Sequence, residues 1–211
     1  MDAYEDACRR WVTEFDWIGF FDADEFFVLH GDVPLTRFLD RSSAVGSVVV
    51  NWALFGSTGH VALPPGLIIE SFTRRAETTF FPTYHVKSFV RPRVVLTSYN
   101  PHYFAADGLT VDAAGSPVTW HYDGTRRQYL LGVMSKPPDY SVCQLNHYFV
   151  RSKAHWATKV ARGYPSNVAT RTADEFDVYD RNEVSDESAP RYVDGVKTII
   201  ASFQPSHNVC T

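Results

Sequence analysis

Asp22, Ala23, Asp24 and Glu25 place three carboxylates in four positions of a run that is otherwise strongly apolar. Trp17-Ile18-Gly19-Phe20-Phe21 precedes them and Phe26-Phe27-Val28-Leu29 follows. A continuous apolar run over 17–29 predicts a strand buried on both faces. An ionised carboxylate there is costly unless a cation accompanies it. Residues two apart in a strand share a face, so Asp22 and Asp24 are expected to aim at one point. Convergent hard-oxygen ligands suit Mg²⁺ or Mn²⁺. A turn or a surface salt bridge is the alternative for a bare Asp-x-Asp, which is common by chance. The aromatic flanks and the third acid favour the metal.

Cationic and aromatic groups farther along suit the same chemistry. Lys87, Arg91 and Lys159 can bring positive charge to phosphates, arginine as a bidentate fork and lysine as a point charge. Each also fits an ordinary salt bridge. Trp52, with Phe55 and His60, can offer an acceptor-side wall for a sugar ring, although core packing explains Trp52 equally well. The loop Gly56-Ser57-Thr58-Gly59-His60 combines two glycines with small hydroxylic residues, a pattern for close backbone approach.

These groups need elements to position them. Residues 2–15 predict a helix capped by Asp2, with Tyr4, Cys8, Trp11, Val12 and Phe15 on one stripe. A short helix is expected from Asp32-Val33-Pro34 to about Arg41. Strands are expected over 46–55 and, carrying Glu70, over 67–72, with extended segments over 85–92 and 93–96. Asp107-Gly108 predicts a hairpin. Residues 123–140, with Gly124, Gly132 and Pro137-Pro138, predict a long loop suited to an active-site flap. Ser152 predicts the cap of a helix over about 152–162, ended by Gly163 with Pro165 beyond. The acidic stretch 174–187 reads as solvated, and an amphipathic helix over about 191–203 follows.

The 211 residues carry 45% hydrophobic and 15% aromatic side chains, which suits one α/β domain over 1–211 with a real core. Net charge is −4 with no basic stripe, so the footprint of a nucleic-acid binder is missing. Cys8, Cys143 and Cys210 lie far apart without CxxC spacing, which argues against a disulfide framework or a structural zinc site. No apolar run reaches the ~18 residues of a membrane span. The acidic start lacks a signal-peptide core, so the chain as given is expected to be soluble.

The order of these motifs resembles glycosyltransferase family 92 and its relatives. The resemblance rests on Trp17-x-x-Phe20-Phe21-Asp22-x-Asp24-Glu25-Phe26 and Trp52-x-x-Phe55-Gly56-Ser57-x-Gly59-His60. It continues through Ile69-Glu70-x-Phe72, Lys87-x-x-Val90-Arg91-Pro92, Pro101-His102 and Asn146-His147-Tyr148, and ends with Arg151-Ser152-x-x-x-Trp156-x-x-Lys159-x-x-x-Gly163. It implies a GT-A fold, a mixed sheet flanked by helices. The implied activity is transfer of a sugar, mostly with inversion, from a nucleoside diphosphate donor to an acceptor hydroxyl. It also implies a late metal-binding histidine, for which His147 is the candidate, and an acceptor side that takes in Trp52, Gly59, His60 and His102. Only about twenty residues precede Asp22, too few for a strand–helix–strand crossover. The chain is therefore expected to lack the N-terminal nucleotide-binding half.

The chemistry needs a divalent metal, Mn²⁺ or Mg²⁺, to neutralise a departing diphosphate. It also needs a base near the acceptor hydroxyl. Glu70 is the candidate base, because Ile68 and Ile69 beside it are expected to raise its pKa. Asp174, Glu175 and Glu25 are the other candidates. Two other readings remain open: a non-catalytic glycan- or partner-binding remnant of the fold, and a metal-dependent phosphohydrolase.

Overall fold

The computed structural model describes residues 2–163 and 171–203. Pro165, Cys210 and the cap expected of the Asp2 side chain lie outside what it describes. In chain order the elements are α1 (Asp2–Arg10), β1 (Ile18–Gly19), β2 (Glu25–Leu29), α2 (Leu35–Phe38), β3 (Val45–Leu54) and α3 (Ile68–Ser71). Then come β4 (Arg74–Arg75), β5 (Val86–Val90), β6 (Val95–Asn100), β7 (Tyr103–Ala106), β8 (Leu109–Val111), β9 (Trp120–Asp123), β10 (Gln128–Met134) and β11 (Cys143–His147). The chain continues through α4 (Lys153–Arg162), α5 (Glu175–Tyr179), β12 (Val184–Ser185) and α6 (Val193–Phe203).

The fold is mixed α/β, as expected. β3 is the spine of a sheet ordered β1-β5-β3-β11-β2, with β8 also paired to β3. Its valine-rich first half is buried throughout, Val48, Val49 and Val50 being almost fully covered. β-branched residues suit such a doubly covered strand. β5 runs antiparallel along one edge of β3, with Val50 opposite Lys87 and Asn51 opposite Val86. β8 and β11 run parallel to it, β11 placing Leu145, Asn146 and His147 beside Trp52, Ala53 and Leu54. β2 then adds antiparallel to β11, with Glu25 opposite His147.

Helices and smaller sheets cover this frame. Cys8 and Tyr4 of α1 pack with Phe20, Val90 and Phe104. Tyr192, Val193 and Val196 lie on the cluster around Phe55, Phe72 and Tyr148. Trp156 of α4 packs with Val150 and with Phe176 of α5. Ser152 caps α4 through its Oγ, and Gly163 ends it at a φ of 71°, as the sequence predicts. Cys8 and Cys143 are buried free thiols. Among the described residues no helix is long and apolar enough to cross a membrane.

Several local expectations are corrected. The apolar run over 17–29 is not one strand: it breaks after Gly19, and Asp22, Ala23 and Asp24 form a turn closed by Glu25 N–H on Asp22 O (2.9 Å). α1 stops at Arg10 because Trp11 and Phe15 find no core, remaining 44% and 51% exposed while meeting edge-to-face. The helix after Pro34 is only Leu35–Phe38. Residues 68–71 are helical rather than extended. Asp107-Gly108 is not a simple hairpin: β7 pairs back onto β6, while β8 crosses to β3. Gly108 is required there, since a Cβ would lie 2.7 Å from the Ala44 carbonyl oxygen. The expected loop over 123–140 contains β10, which pairs with β9 and sets Tyr122 against Tyr129.

The acidic stretch over 174–187 is also structured. It contains α5 and β12, and Asp180 accepts from both the backbone N–H and the hydroxyl of Ser57 at 2.6 and 3.0 Å. Asp186 accepts from Arg75 Nε at 2.6 Å and from Gln144 Nε2 at 3.0 Å. Burial pushes the Asp186 carboxyl up, but hydrogen bonds from Ser188, Gln144 and Arg75 outweigh it and hold the group at about 2.

A carboxyl depressed in the folded state supports stability fully above its unfolded pKa of about 4 and ceases to as pH falls toward 2. Asp186→Ala is expected to destabilise the protein by about 3 kcal/mol at pH 7, since Arg75 is left half-buried without its carboxylate. It should also flatten the stability loss between pH 5 and 2 by about 2 kcal/mol. Urea unfolding across that pH range checks both.

Candidate functional site

β3 and β11 run parallel, and their carboxyl ends meet the amino ends of the antiparallel β2 and β5 at one edge of the sheet. Carboxyl ends of parallel strands are where open α/β sheets bind ligands. Asp22, Asp24, Glu25, Trp52, Lys87 and His147 all lie at this edge, although they come from four separate parts of the chain.

Glu25 anchors the group. Its side chain is fully buried. Oε1 accepts from Trp52 Nε1 at 2.7 Å, Oε2 accepts from the Asp22 N–H at 2.8 Å, and Lys87 Nζ stands 3.6 Å from Oε2. Burial raises the Glu25 pKa, against the pull of Lys87 and the Asp22 N–H. With both oxygens committed and no surface, Glu25 positions Trp52 and Lys87 and cannot meet an acceptor hydroxyl. Lys87, 1% exposed, also donates to Asp22 Oδ2 at 2.9 Å.

The two aspartates therefore serve different cations. Asp22 extends a largely exposed carboxylate to Lys87. Asp24 is mostly buried: Oδ2 accepts from Lys159 Nζ at 2.8 Å, and Oδ1 faces His147 Nε2 at 3.6 Å. Burial raises the Asp24 pKa, but His147 and Lys159 win and hold it far below the usual carboxylate range. Lys159 reaches from the second turn of α4 and also donates to the Phe149 carbonyl at 2.6 Å. Burial lowers its pKa, against the Asp24 charge.

Among the described residues no three histidine, cysteine or acidic groups converge in the manner of a closed metal cage. An open site needs fewer protein donors. Mg²⁺ is commonly held by one or two carboxylates, with ligand phosphates and water completing its shell. Asp24 Oδ1 and His147 Nε2 supply an adjacent oxygen and nitrogen donor, and His147 Nδ1 is buried with no hydrogen-bond partner. A buried ring nitrogen without a partner is rare in a finished core. Asp24 Oδ1 and His147 Nε2 are thus the donor atoms that this end of the sheet would offer an ion.

Beside it, Trp52 gathers three histidines. His85 stacks on the indole with ring centroids 5.1 Å apart, while His102 and His147 lie at 5.0 and 4.4 Å. His85, His147, Trp52, Phe81, Phe149 and Tyr179 line a cavity of about 350 Å³. His102 turns Nδ1 onto Val86 O at 2.9 Å, and burial pushes its pKa down to about 4, so it is neutral. His85 turns Nδ1 onto Pro82 O at 3.0 Å, with burial lowering its pKa as well.

Other residues singled out by sequence have different surroundings. Glu70 lies on α3, with Oε2 accepting the Leu67 N–H at 2.7 Å and Oε1 meeting Lys197 Nζ at 2.5 Å. Those two bonds lower its pKa, opposite to the rise expected from Ile68 and Ile69. Arg91 lies past the far end of β5, roughly 13 Å from Lys87 by strand rise. It donates to Val45 O and Arg41 O and stacks over Trp17 at 4.2 Å. His60 turns Nε2 to the Ser71 carbonyl and packs edge-on against Phe72, and Gly59 bonds Ser57 Oγ in a left-handed turn. The sequence assigned no site role to His85, although it lies two positions from Lys87, and none to Arg151, although that residue opens the last of the motifs quoted above.

Lys87→Met is expected to cost about 3–5 kcal/mol, because it strands the buried Glu25 carboxylate. Adding Glu25→Gln should recover part of that loss. Urea unfolding of the two single variants and the double variant measures the coupling. No protein-family model matches the chain, and no curated protein matches it either.

Proposed function

We propose that this chain is a metal-dependent glycosyltransferase with a GT-A-like sheet, moving a sugar from a nucleoside diphosphate donor to an acceptor hydroxyl with inversion. The observation that carries this reading is the Asp24–His147 pair, 3.6 Å apart, with Lys159 on the outer carboxylate oxygen. The motif order described above, and the position of the pair at the carboxyl ends of β3 and β11, support it.

Asp24 and His147 would hold Mg²⁺ or Mn²⁺, which when bound supplies Lewis-acid neutralisation of a departing diphosphate. Asp22 lies on the solvent side of the same turn, where its exposed carboxylate can accept from donor hydroxyls. Lys159 adds positive charge beside the phosphates. The cavity walled by Trp52, Phe81, Phe149 and Tyr179 offers aromatic faces to an acceptor sugar. Within it, neutral His85 can take the acceptor proton on Nε2, since Nδ1–H is committed to Pro82 O. Glu70 is not carried into this mechanism, because both its oxygens are occupied at the end of α3. Arg91 is left out as well, its guanidinium being bound to backbone carbonyls at the opposite end of β5.

One observation favours a second reading, a non-catalytic glycan- or partner-binding relative of the fold. Lys87 and Lys159 already pair both aspartates, so the edge is electrically satisfied as it stands.

Calorimetry against a panel of nucleoside diphosphate sugars, with and without Mn²⁺, separates the two readings. Mn²⁺-dependent binding is expected, weakened at least about tenfold, or ~1.4 kcal/mol, by Asp24→Asn and by His147→Ala. His85→Gln should leave donor affinity unchanged and lower turnover by about 10²-fold or more. Metal-independent glycan binding without turnover would favour the second reading, and Mn²⁺ affinity unaltered in both Asp24→Asn and His147→Ala would remove the metal site.

A further inference from the structure

A cavity of about 690 Å³ lies at the other end of the sheet from Asp24 and His147. That is the size of a small-molecule site. Strand register brings its parts together. Ile18 of β1 stands opposite Val90 of β5, which carries Trp17 alongside Arg91, and the Arg91 guanidinium lies 4.2 Å from the centre of the indole. Leu35 lies at the start of α2, and Leu39 and Arg41 lie just past its end. All five residues line the cavity, so two arginines share one space with an indole and two leucines.

Both arginines are fixed, and neither is neutralised. Arg91 donates Nε to Val45 O at 3.0 Å and Nη2 to Arg41 O at 2.9 Å. Arg41 donates Nη2 to Ala113 O at 2.8 Å, while its Nε is buried without a hydrogen-bond partner. Carbonyl dipoles hold a guanidinium in place but carry no net charge to offset it. The two acids on the cavity wall are engaged elsewhere, Asp16 with Arg93 at 3.9 Å and Asp40 with Arg37 at 3.0 Å. Among the described residues no carboxylate pairs with Arg41 or Arg91. A guanidinium partly withdrawn from water without an opposite charge is costly. Each also keeps donors to offer, since the side chain carries about five N–H groups.

We infer that this cavity binds a small organic acid, a carboxylate carried on a flat apolar body. The carboxylate suits the planar fork of arginine, which takes both oxygens at once. The apolar body suits Trp17, Leu35 and Leu39, of which Leu35 is 44% exposed and is covered when the ligand binds. Asp16 and Asp40 limit the charge of the ligand. Two exposed acids on the same wall repel a polyanion, so a diphosphate is disfavoured. The site shares no residue with the sugar-transfer centre and does not rest on that reading of the chain.

The test is calorimetry of the full chain with benzoate, its neutral amide benzamide, acetate and inorganic pyrophosphate at equal ionic strength. Benzoate is expected to bind at least about tenfold more tightly than benzamide, which lacks the charge, and than acetate, which lacks the ring. Arg41→Gln and Trp17→Leu should each weaken benzoate binding by at least about tenfold. A rise in the melting temperature of the unaltered protein with benzoate, larger than with benzamide at the same concentration, reads the site without relying on a variant's folding. No heat and no melting shift with benzoate would overturn the inference, as would equal affinity for benzamide or undiminished affinity in Arg41→Gln or Trp17→Leu. Pyrophosphate binding more tightly than benzoate, and losing that affinity in Arg41→Gln, would overturn the choice of an organic acid.

Discussion

The hydrogen bonding of β11 to both β2 and β3 is the constraint on which the site depends. Its antiparallel register with β2 sets His147 opposite Glu25, and its parallel register with β3 sets His147 beside Leu54. The Tyr148 N–H then donates to Asp24 O at 2.9 Å, and the Phe55 N–H to His147 O at 3.0 Å. Three backbone segments, around Asp24, Leu54 and His147, are thereby tied together. A one-residue slip of β11 would turn His147 to the other face of the sheet and leave Asp24 facing an amide or a phenol instead.

With the backbone so tied, the charges follow from the need to pair ions out of water. Glu25 is sealed under Trp52, so a cation has to come to it, and Lys87 reaches it from β5, which lies beyond β11 and β3 in the sheet. Asp24 is sealed on one side, and Lys159 reaches it from a helix 135 positions away in sequence. Ion pairs of this kind add little net stability over apolar packing, yet breaking one is costly. They hold the edge in one arrangement. The aromatic wall of Trp52, Phe149 and the histidines lowers the local polarity and strengthens whatever electrostatics operate beside it.

The strands most readable from sequence are those where burial is simple. The valine run of β3 and the capped, glycine-ended α4 follow from patterns that depend on neighbours only through burial. The run over 17–29 misleads because its apolar residues serve two separate strands. Only a turn lets Asp22 and Asp24 meet lysines from different elements. Glu70 misleads in another way. Two isoleucines before it resemble a strand, whereas its capping of the Leu67 N–H and its pairing with Lys197 of α6 depend on a helix docking from the far end of the chain.

The sequence by itself determined the α/β class, the core strand, the cap and stop of α4, and the attention drawn to Asp24, since each of these lies in residue type or local spacing, whereas His147 entered only through the resemblance of its motif. Tertiary structure decided that Asp24 rather than the aspartate pair faces His147, that Glu25 is a buried anchor, that Glu70 and Arg91 are held elsewhere, and that His85 joins the edge. The physical reason is range. Periodicity and capping act within a few residues, whereas the pairing of a buried charge is settled by whichever oppositely charged side chain the strand register brings within about 4 Å.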